Sequence, residues 1–137
     1  MTREYLDHII EETNHNDPYN ETNGLKAVRL EEGFSVVEMT LLPEYKNIWG
    51  TPHGGILFGI ADLAAGIAAD SVREGMHIVT AGSSINFLAA PDPQAVKLRA
   101  EGRVIKAGRH INVVQADVYD DRENHLVTGQ FNMFNTK

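Results

Sequence analysis

The sequence predicts an α+β fold in which a curved antiparallel sheet wraps around one long central helix. Three features point there. The run from Ile56 to Ala69 is apolar in nearly every direction around a helical axis, through Ile56, Leu57, Phe58, Ile60, Leu63, Ala64, Ile67 and Ala68, so it needs enclosure rather than one covered face. Two strand patterns precede this helix and four follow it. The connectors between the later strands are short, which favours antiparallel neighbours.

The elements follow in order. Tyr5, Leu6, Ile9 and Ile10 recur at helical spacing over residues 3–13, behind Thr2 as N-cap. Residues 14–20, with Asn14, Asn16, Asp17, Pro18 and Asn20, are rich in chain breakers and read as loop. Strands are expected at 25–31 and 35–42, joined by a tight hairpin at Glu32-Gly33. Beyond Gly75 come strands at 77–89, 96–104, 111–119 and 126–134, punctuated by Ala90-Pro91-Asp92-Pro93, Ala107-Gly108-Arg109 and the turn from Asp120 to Asn124. The 96–104 strand alternates most cleanly, with Lys97, Arg99, Glu101 and Arg103 on one face, as in a sheet wet on one side. Gly59 and Gly66 share one face of the central helix. They allow close approach of sheet backbone or of a partner helix, at about 1 kcal/mol each relative to Ala.

At 137 residues the chain is expected to form a single domain over 1–137, with residues 1–20 as an N-terminal helix and loop. Its 42% hydrophobic and 23% charged content is ordinary for a water-soluble fold, and no apolar run approaches the roughly 20 residues of a membrane span. Met1 to Asp7 lacks the basic start and apolar stretch of a signal peptide, so a cytoplasmic location is expected. The absence of cysteine excludes disulfides, thiolate metal sites and thiol nucleophiles. A net charge of −7 argues against nucleic-acid binding, though not against a small anion held on a local basic patch. The six histidines are scattered without a short-spaced ligand pair, and no metal site is expected.

Asp62 is the residue this pattern does not accommodate. A carboxylate in a helix without a polar face must be paired, neutralised or used, because burying it ionised and alone is costly. Just ahead of the helix lies Asn47-Ile48-Trp49-Gly50-Thr51-Pro52-His53-Gly54-Gly55. Asn47, Gly50, the His53-Gly54-Gly55 triplet and Ile60-Ala61-Asp62 together resemble the signature of hotdog-fold acyl-CoA thioesterases of the PaaI type. The resemblance continues in Ser84-Ile85-Asn86-Phe87-Leu88, in Leu98 to Val104, in Gly108-Arg109 and in Asp117, over roughly residues 25–135. It implies a curved sheet around a central helix, dimers joined sheet edge to edge, and active sites at the dimer interface. Relatives commonly carry Arg-Pro where this chain has Ala89-Ala90, a departure that bears on the shape of the substrate tunnel rather than on the chemistry.

The same residues suggest a mechanism on physical grounds. A helix N-terminus carries unsatisfied N–H groups and about half a positive charge, which suits an oxyanion developing on a carbonyl. Gly54 and Gly55 remove side chains at that point, and the Gly55 N–H is assigned as the principal oxyanion donor. Asp62 then attacks the thioester as nucleophile or activates a water as general base. Asn47 can orient the water or the carbonyl. His53 joins the catalytic set as a helix-entry residue that fixes the turn through its ring nitrogens, a support role set against proton transfer. From the resemblance, Thr80 faces the site, Arg109 after Gly108 contacts coenzyme A phosphates, and Phe87 joins Gly54 and Gly108 in the substrate-binding set. Gly55 and Asp62 lie roughly 10 Å apart along one helix, too far to share a carbonyl, so they are expected to meet across two protomers. Plainer roles stand beside these: a carboxylate tied to a Ser or Thr of the neighbouring strand for Asp62, turn residues for Asn47 and Gly54-Gly55, an ordinary strand position for Thr80, an exposed loop charge for Arg109.

The reading is a thioester hydrolase that cleaves an aryl or medium-chain acyl-CoA to carboxylic acid and free thiol, needs no cofactor, and works as a homodimer or dimer of dimers. The alternatives are a non-catalytic acyl-CoA-binding module and a hotdog hydratase or dehydratase acting on acyl thioesters.

Overall fold

The computed structural model describes residues 1–136; Lys137, the last residue of the expected domain, lies outside them. Helix α1 (Arg3–His15) starts as expected, with Thr2 Oγ1 accepting the Tyr5 N–H at 3.1 Å. The segment read as loop instead forms a second helix, α2 (Pro18–Asn23). Its breakers turn out to be terminators. Asp17 caps it by accepting the Asn20 N–H at 3.1 Å, Pro18 occupies the first turn, and Gly24 ends it with φ of 67°.

Strands β1 (Lys26–Glu31) and β2 (Phe34–Thr40) form the expected hairpin, and α3 (Gly54–Asp70) follows after a short turn at Pro43–Tyr45. Then come β3 (His77–Phe87), β4 (Lys97–Ala107), β5 (Ile111–Asp120) and β6 (His125–Thr136). All six strands join one antiparallel sheet in the order β1-β2-β4-β5-β6-β3, which with the helix on its face is the hotdog fold. The β4–β5–β6 meander matches the short-connector expectation. The β3–β4 connector does not: residues 88–96 carry the chain from β3, at one edge beside β6, to β4 beside β2. A stretch holding Pro91 and Pro93 is longer than a hairpin loop and cannot donate through a ladder, so it runs across the sheet rather than folding back.

Along β5 every second residue from Asn112 to Asp120 is buried, and Leu126, Val127, Phe131 and Met133 of β6 are buried with them. Helix α3 lies on this surface through Ala61, Ala64, Ala65 and Ala68, all fully buried. Small residues let the helix approach closely, and Gly102 completes the approach. A Cβ there would run into the Ala64 carbonyl oxygen and the Ser35 hydroxyl, which donates to that oxygen at 2.6 Å. Gly102 is therefore the glycine that admits the helix to the sheet. Gly59 instead faces the Tyr19 hydroxyl of α2, 3.0 Å from where a Cβ would sit, and Gly66 faces open space.

Within one chain the enclosure of α3 is incomplete on one side. Gly59, Asp62, Leu63, Gly66 and Asp70, on the side of α3 turned away from the sheet, are only partly buried within one chain. The sheet covers one side and the N-terminal helices part of another. No helix among the described residues is long and apolar enough to cross a membrane.

Candidate active site

The loop entering α3 is held by the side chain of Asn47. Its Oδ1 accepts the N–H groups of Trp49 at 2.9 Å and Thr51 at 3.2 Å, while its Nδ2 donates to Thr51 Oγ1 at 3.0 Å. Gly50, at φ of 80°, supplies the left-handed residue this turn requires. One hydrogen of the Asn47 amide stays uncommitted among the described residues, so the group that shapes the loop retains a donor.

His53 departs from its expected part. Its ring makes no hydrogen bond within the described residues and does not cap the helix. The turn is fixed by backbone instead, through a Lys46–Pro52 bridge and a His53 N–H to Tyr45 carbonyl bond of 2.9 Å. The His53 carbonyl then accepts from Ile56 at 3.0 Å and Leu57 at 3.3 Å, which leaves the Gly54 and Gly55 N–H groups without an acceptor among the described residues. Both glycines are exposed. The Phe87 ring comes within 3.5 Å of where a Gly54 Cβ would be, whereas around Gly55 nothing lies within 4 Å of that point. A ligand can thus reach the amides of a helix N-terminus beside an aromatic ring.

Two turns further on, the Thr80 hydroxyl of β3 donates to Asp62 Oδ1 at 2.5 Å. The register of β3 against β6 shifts between Thr80 and Gly82, a bulge of the kind that re-aims a side chain beside a site. Asp62 is half-buried rather than sealed, because the outer side of α3 has no cover there. It borders a cavity of about 240 Å³ that also touches Thr13, Asn20, Gly66, Asp70 and Thr80.

The structure brings some of the expected residues together and separates others. Asn47, His53, Gly54, Gly55 and Phe87 gather at the N-terminal end of α3, and Asp62 meets Thr80 at its middle. Seven residues of unbroken helix keep Gly55 and Asp62 about 10 Å apart within one chain. Arg109 is exposed on the β4–β5 turn, at the opposite end of α3, where the Arg73 guanidinium donates to the Gly108 carbonyl. Gly108 itself serves that turn, since a Cβ would strike the Ile111 carbonyl oxygen. Arg109 and the Gly55 amide therefore do not share a site within one chain.

Other residues of the site escape a sequence reading. Asp70 closes α3 eight residues after Asp62, and burial without a compensating partner raises its carboxyl to about 7. Asn20 is 2% exposed and comes from the helix read as loop. A second acid eight residues after Asp62 on the same helix was the only signal available for Asp70, and Asn20 offered none.

A model of the Thioesterase superfamily matches residues 50–126. The chain is 34% identical over 97 residues to a candidate esterase of Saccharolobus solfataricus, covering 70% of this chain and 67% of that protein. It is 30% identical over 108 residues to the acyl-coenzyme A thioesterase PaaI of Escherichia coli, covering 79% of this chain and 75% of the relative. The solved structure of Escherichia coli PaaI superposes with a TM-score of 0.85 at 25% identity over 96% of both chains. A Streptococcus mutans protein solved bound to acetyl CoA superposes at 0.74 with 29% identity, over 82% of this chain and 88% of that one. On the family match, the identity to PaaI and the shared architecture, the chain belongs to the thioesterase superfamily, in its PaaI-type hotdog branch, as a hydrolase of thioester bonds.

Proposed function

We propose that this chain hydrolyses an aryl or medium-chain acyl-coenzyme A, with Asp62 as nucleophile or general base and the Gly55 N–H as oxyanion donor, in sites shared between two protomers. The observation that carries the reading is the Asp62–Thr80 hydrogen bond at the mouth of a cavity, on the helix whose first amides are free. The hydroxyl holds one carboxylate oxygen and leaves the other for chemistry. Water, or Asp62 itself, adds to the thioester carbonyl while the helix N-terminus receives the oxyanion. Where water attacks, Asp62 takes its proton, collapse breaks the C–S bond and that proton goes to the departing thiolate. Where Asp62 attacks, collapse expels the thiolate and leaves a mixed anhydride, which a water then cleaves to free acid and Asp62 while its proton goes to the thiolate.

Separation of Gly55 from Asp62 favours assembly in trans. β3 is an open sheet edge, with Val79, Phe87 and Leu88 exposed about half. Two such edges paired antiparallel about a two-fold axis bring the His77 end of one β3 to the Phe87 end of the other. The Asp62 and Arg109 of one protomer then approach the Gly55 and Asn47 of its partner, and Arg109 becomes available to the phosphates of coenzyme A. The acetyl CoA bound by the Streptococcus mutans relative supports this ligand class.

Free-thiol release from a panel of acyl-CoA esters tests the reaction. Asp62→Ala is expected to lower kcat at least a hundredfold; full hydrolysis in that variant overturns the assignment, and conversion of the acyl chain without thiol release points to a hydratase. Mixing Asp62→Ala with Asn47→Ala subunits tests the sharing. Sites built in trans recover about a quarter of wild-type activity in statistically mixed dimers, whereas sites built in cis recover none.

A further inference from the structure

The turn that carries Arg109 is tied down more firmly than a plain connector requires. It joins β4 to β5 through Gly108, Arg109 and His110, and the Gly108 N–H closes it on the Ile111 carbonyl at 3.1 Å. All three of its carbonyls are also taken up. Asn135 Nδ2, from β6, donates to the Gly108 carbonyl at 3.3 Å and to the Arg109 carbonyl at 3.1 Å, and the Asn135 backbone N–H donates to the His110 carbonyl at 2.8 Å. Arg73, just beyond α3, adds its guanidinium to the Gly108 carbonyl. Asn135 in turn owes its orientation to Asn112. A carbonyl only accepts, so Asn112 Nδ2 faces the Met133 carbonyl at 3.3 Å, and the same nitrogen donates to Asn135 Oδ1 at 2.6 Å. That leaves Asn135 Nδ2 turned toward the loop. Asn112 is fully buried, and its Oδ1 and the Arg73 Nε are buried atoms without a hydrogen-bond partner among the described residues. Two such unpaired groups cost stability, and both belong to side chains that hold this turn in place.

The inward carbonyls decide where the amides of the turn point. Across a planar trans peptide, the C=O of one residue and the N–H of the next point in opposite directions. With the Gly108 and Arg109 carbonyls drawn inward, the Arg109 and His110 N–H groups face outward, and neither finds an acceptor among the described residues. Lys106, Arg109 and His110 are exposed beside them, on a chain whose net charge is −7. Successive outward N–H groups next to a guanidinium suit a phosphate. We infer that Asn135, with Asn112 and Arg73 behind it, is a positioning residue for coenzyme A, presenting the Arg109 and His110 amides and the Arg109 side chain as a preformed seat for a phosphate at the nucleotide end of the substrate. The inference rests on the acyl-coenzyme A reading and on Arg109 as its phosphate contact, and adds to them two backbone donors and the side chains that aim them.

Two thioesters of one acyl group, on coenzyme A and on pantetheine, provide the test; pantetheine keeps the thiol arm and lacks every phosphate. The acyl group is the one released fastest in the panel. The full-length wild type is expected to favour the coenzyme A ester in kcat/KM by about tenfold or more, chiefly through KM. Asn135→Ala and Arg73→Met are each expected to cut that preference at least about fivefold, whereas a substitution that merely loosened the fold would slow both esters alike. An ester of 3′-dephospho-coenzyme A locates the phosphate: the preference disappears with the 3′-phosphate if that group is bound, and survives if the diphosphate is. Equal kcat/KM for the coenzyme A and pantetheine esters in the wild type, a comparison that needs no variant to fold, overturns the inference. A preference that survives both substitutions overturns it too, and either result leaves hydrolysis through Asp62 standing. A wild type that frees thiol from no ester of the panel overturns the function on which the inference rests.

Discussion

Three aspartates in one small fold are treated in three ways, and the treatment follows from what each carboxylate touches. Asp62 takes a single donor, Thr80, and keeps access to a cavity. Asp70 takes none among the described residues, and burial lifts its carboxyl to about 7. Asp120 is fully buried at the end of β5, where desolvation is outweighed by donors: the Asn124 side chain and the N–H groups of Asp92, Asn124 and Arg122 hold it down at about 2. Signs of linkage are opposite for the last two. For Asp120, with its folded value below the unfolded one, the stabilisation is present above about pH 4, amounts to about 2 kcal/mol, and is lost as pH falls toward 2. Asp120→Asn should therefore lower stability at pH 7 and flatten the acid limb of unfolding. Urea melts at pH 7 and pH 3 check this; an unchanged acid limb rejects it. For Asp70, raised in the fold, stability is fully present below about pH 4 and declines as pH climbs through 7. A chain that holds an unpaired acid there gives up stability, as functional sites commonly do.

Among elements, α3 is the one on which the rest depends. Its alanines set it close to the sheet, and Gly102 on β4 is the point of closest approach. Gly102→Ala is expected to destabilise by about 2–4 kcal/mol, since the added Cβ would overlap the Ala64 backbone carbonyl and the Ser35 hydroxyl that is bonded to it. Gly66→Ala meets nothing within 4 Å and serves as the control, with a helix-propensity gain of about 1 kcal/mol. Thermal melts of the pair should move in opposite directions. The sequence gives equal weight to a glycine in a strand and a glycine in a helix; only the packing reveals that Gly102 is the tight one. For α2 the sequence carried the answer in a form easily misread. Asp17, Pro18 and Gly24 are helix start and stop signals as much as loop residues, and a helix of six residues is too short to show a period between them.

At the scale of the molecule, one chain keeps the two halves of the proposed site apart. Free amides at one end of α3 and the Asp62–Thr80 pair at its middle are separated by the helix that links them. On the proposed function their union takes a second copy, and the open β3 edge offers a surface for it. Val79 is 49% exposed on that edge. Val79→Lys is expected to place like charges near the two-fold axis, yield monomers in sedimentation and remove thiol release together with dimer; an active monomer rejects the shared site. The same variant should keep its far-ultraviolet spectrum, because Val79 contributes little to the core of its own chain.

The sequence by itself determined the class of fold, the order of helix and strands, the meander of the last three strands, and the loop, glycines and acid that carry the resemblance to thioesterases. All of these are written in local spacing: a period, a turn residue, a motif of a few positions. Tertiary structure decided that β3 goes to the sheet edge, that the outer side of α3 stays open beside Asp62, that Gly102 and not Gly59 or Gly66 meets the sheet, and that α1 and α2 wall the cavity reaching Asp70. Those outcomes depend on register and on surfaces brought together from distant parts of the chain, and packing free energy, which no single stretch contains, selects among them.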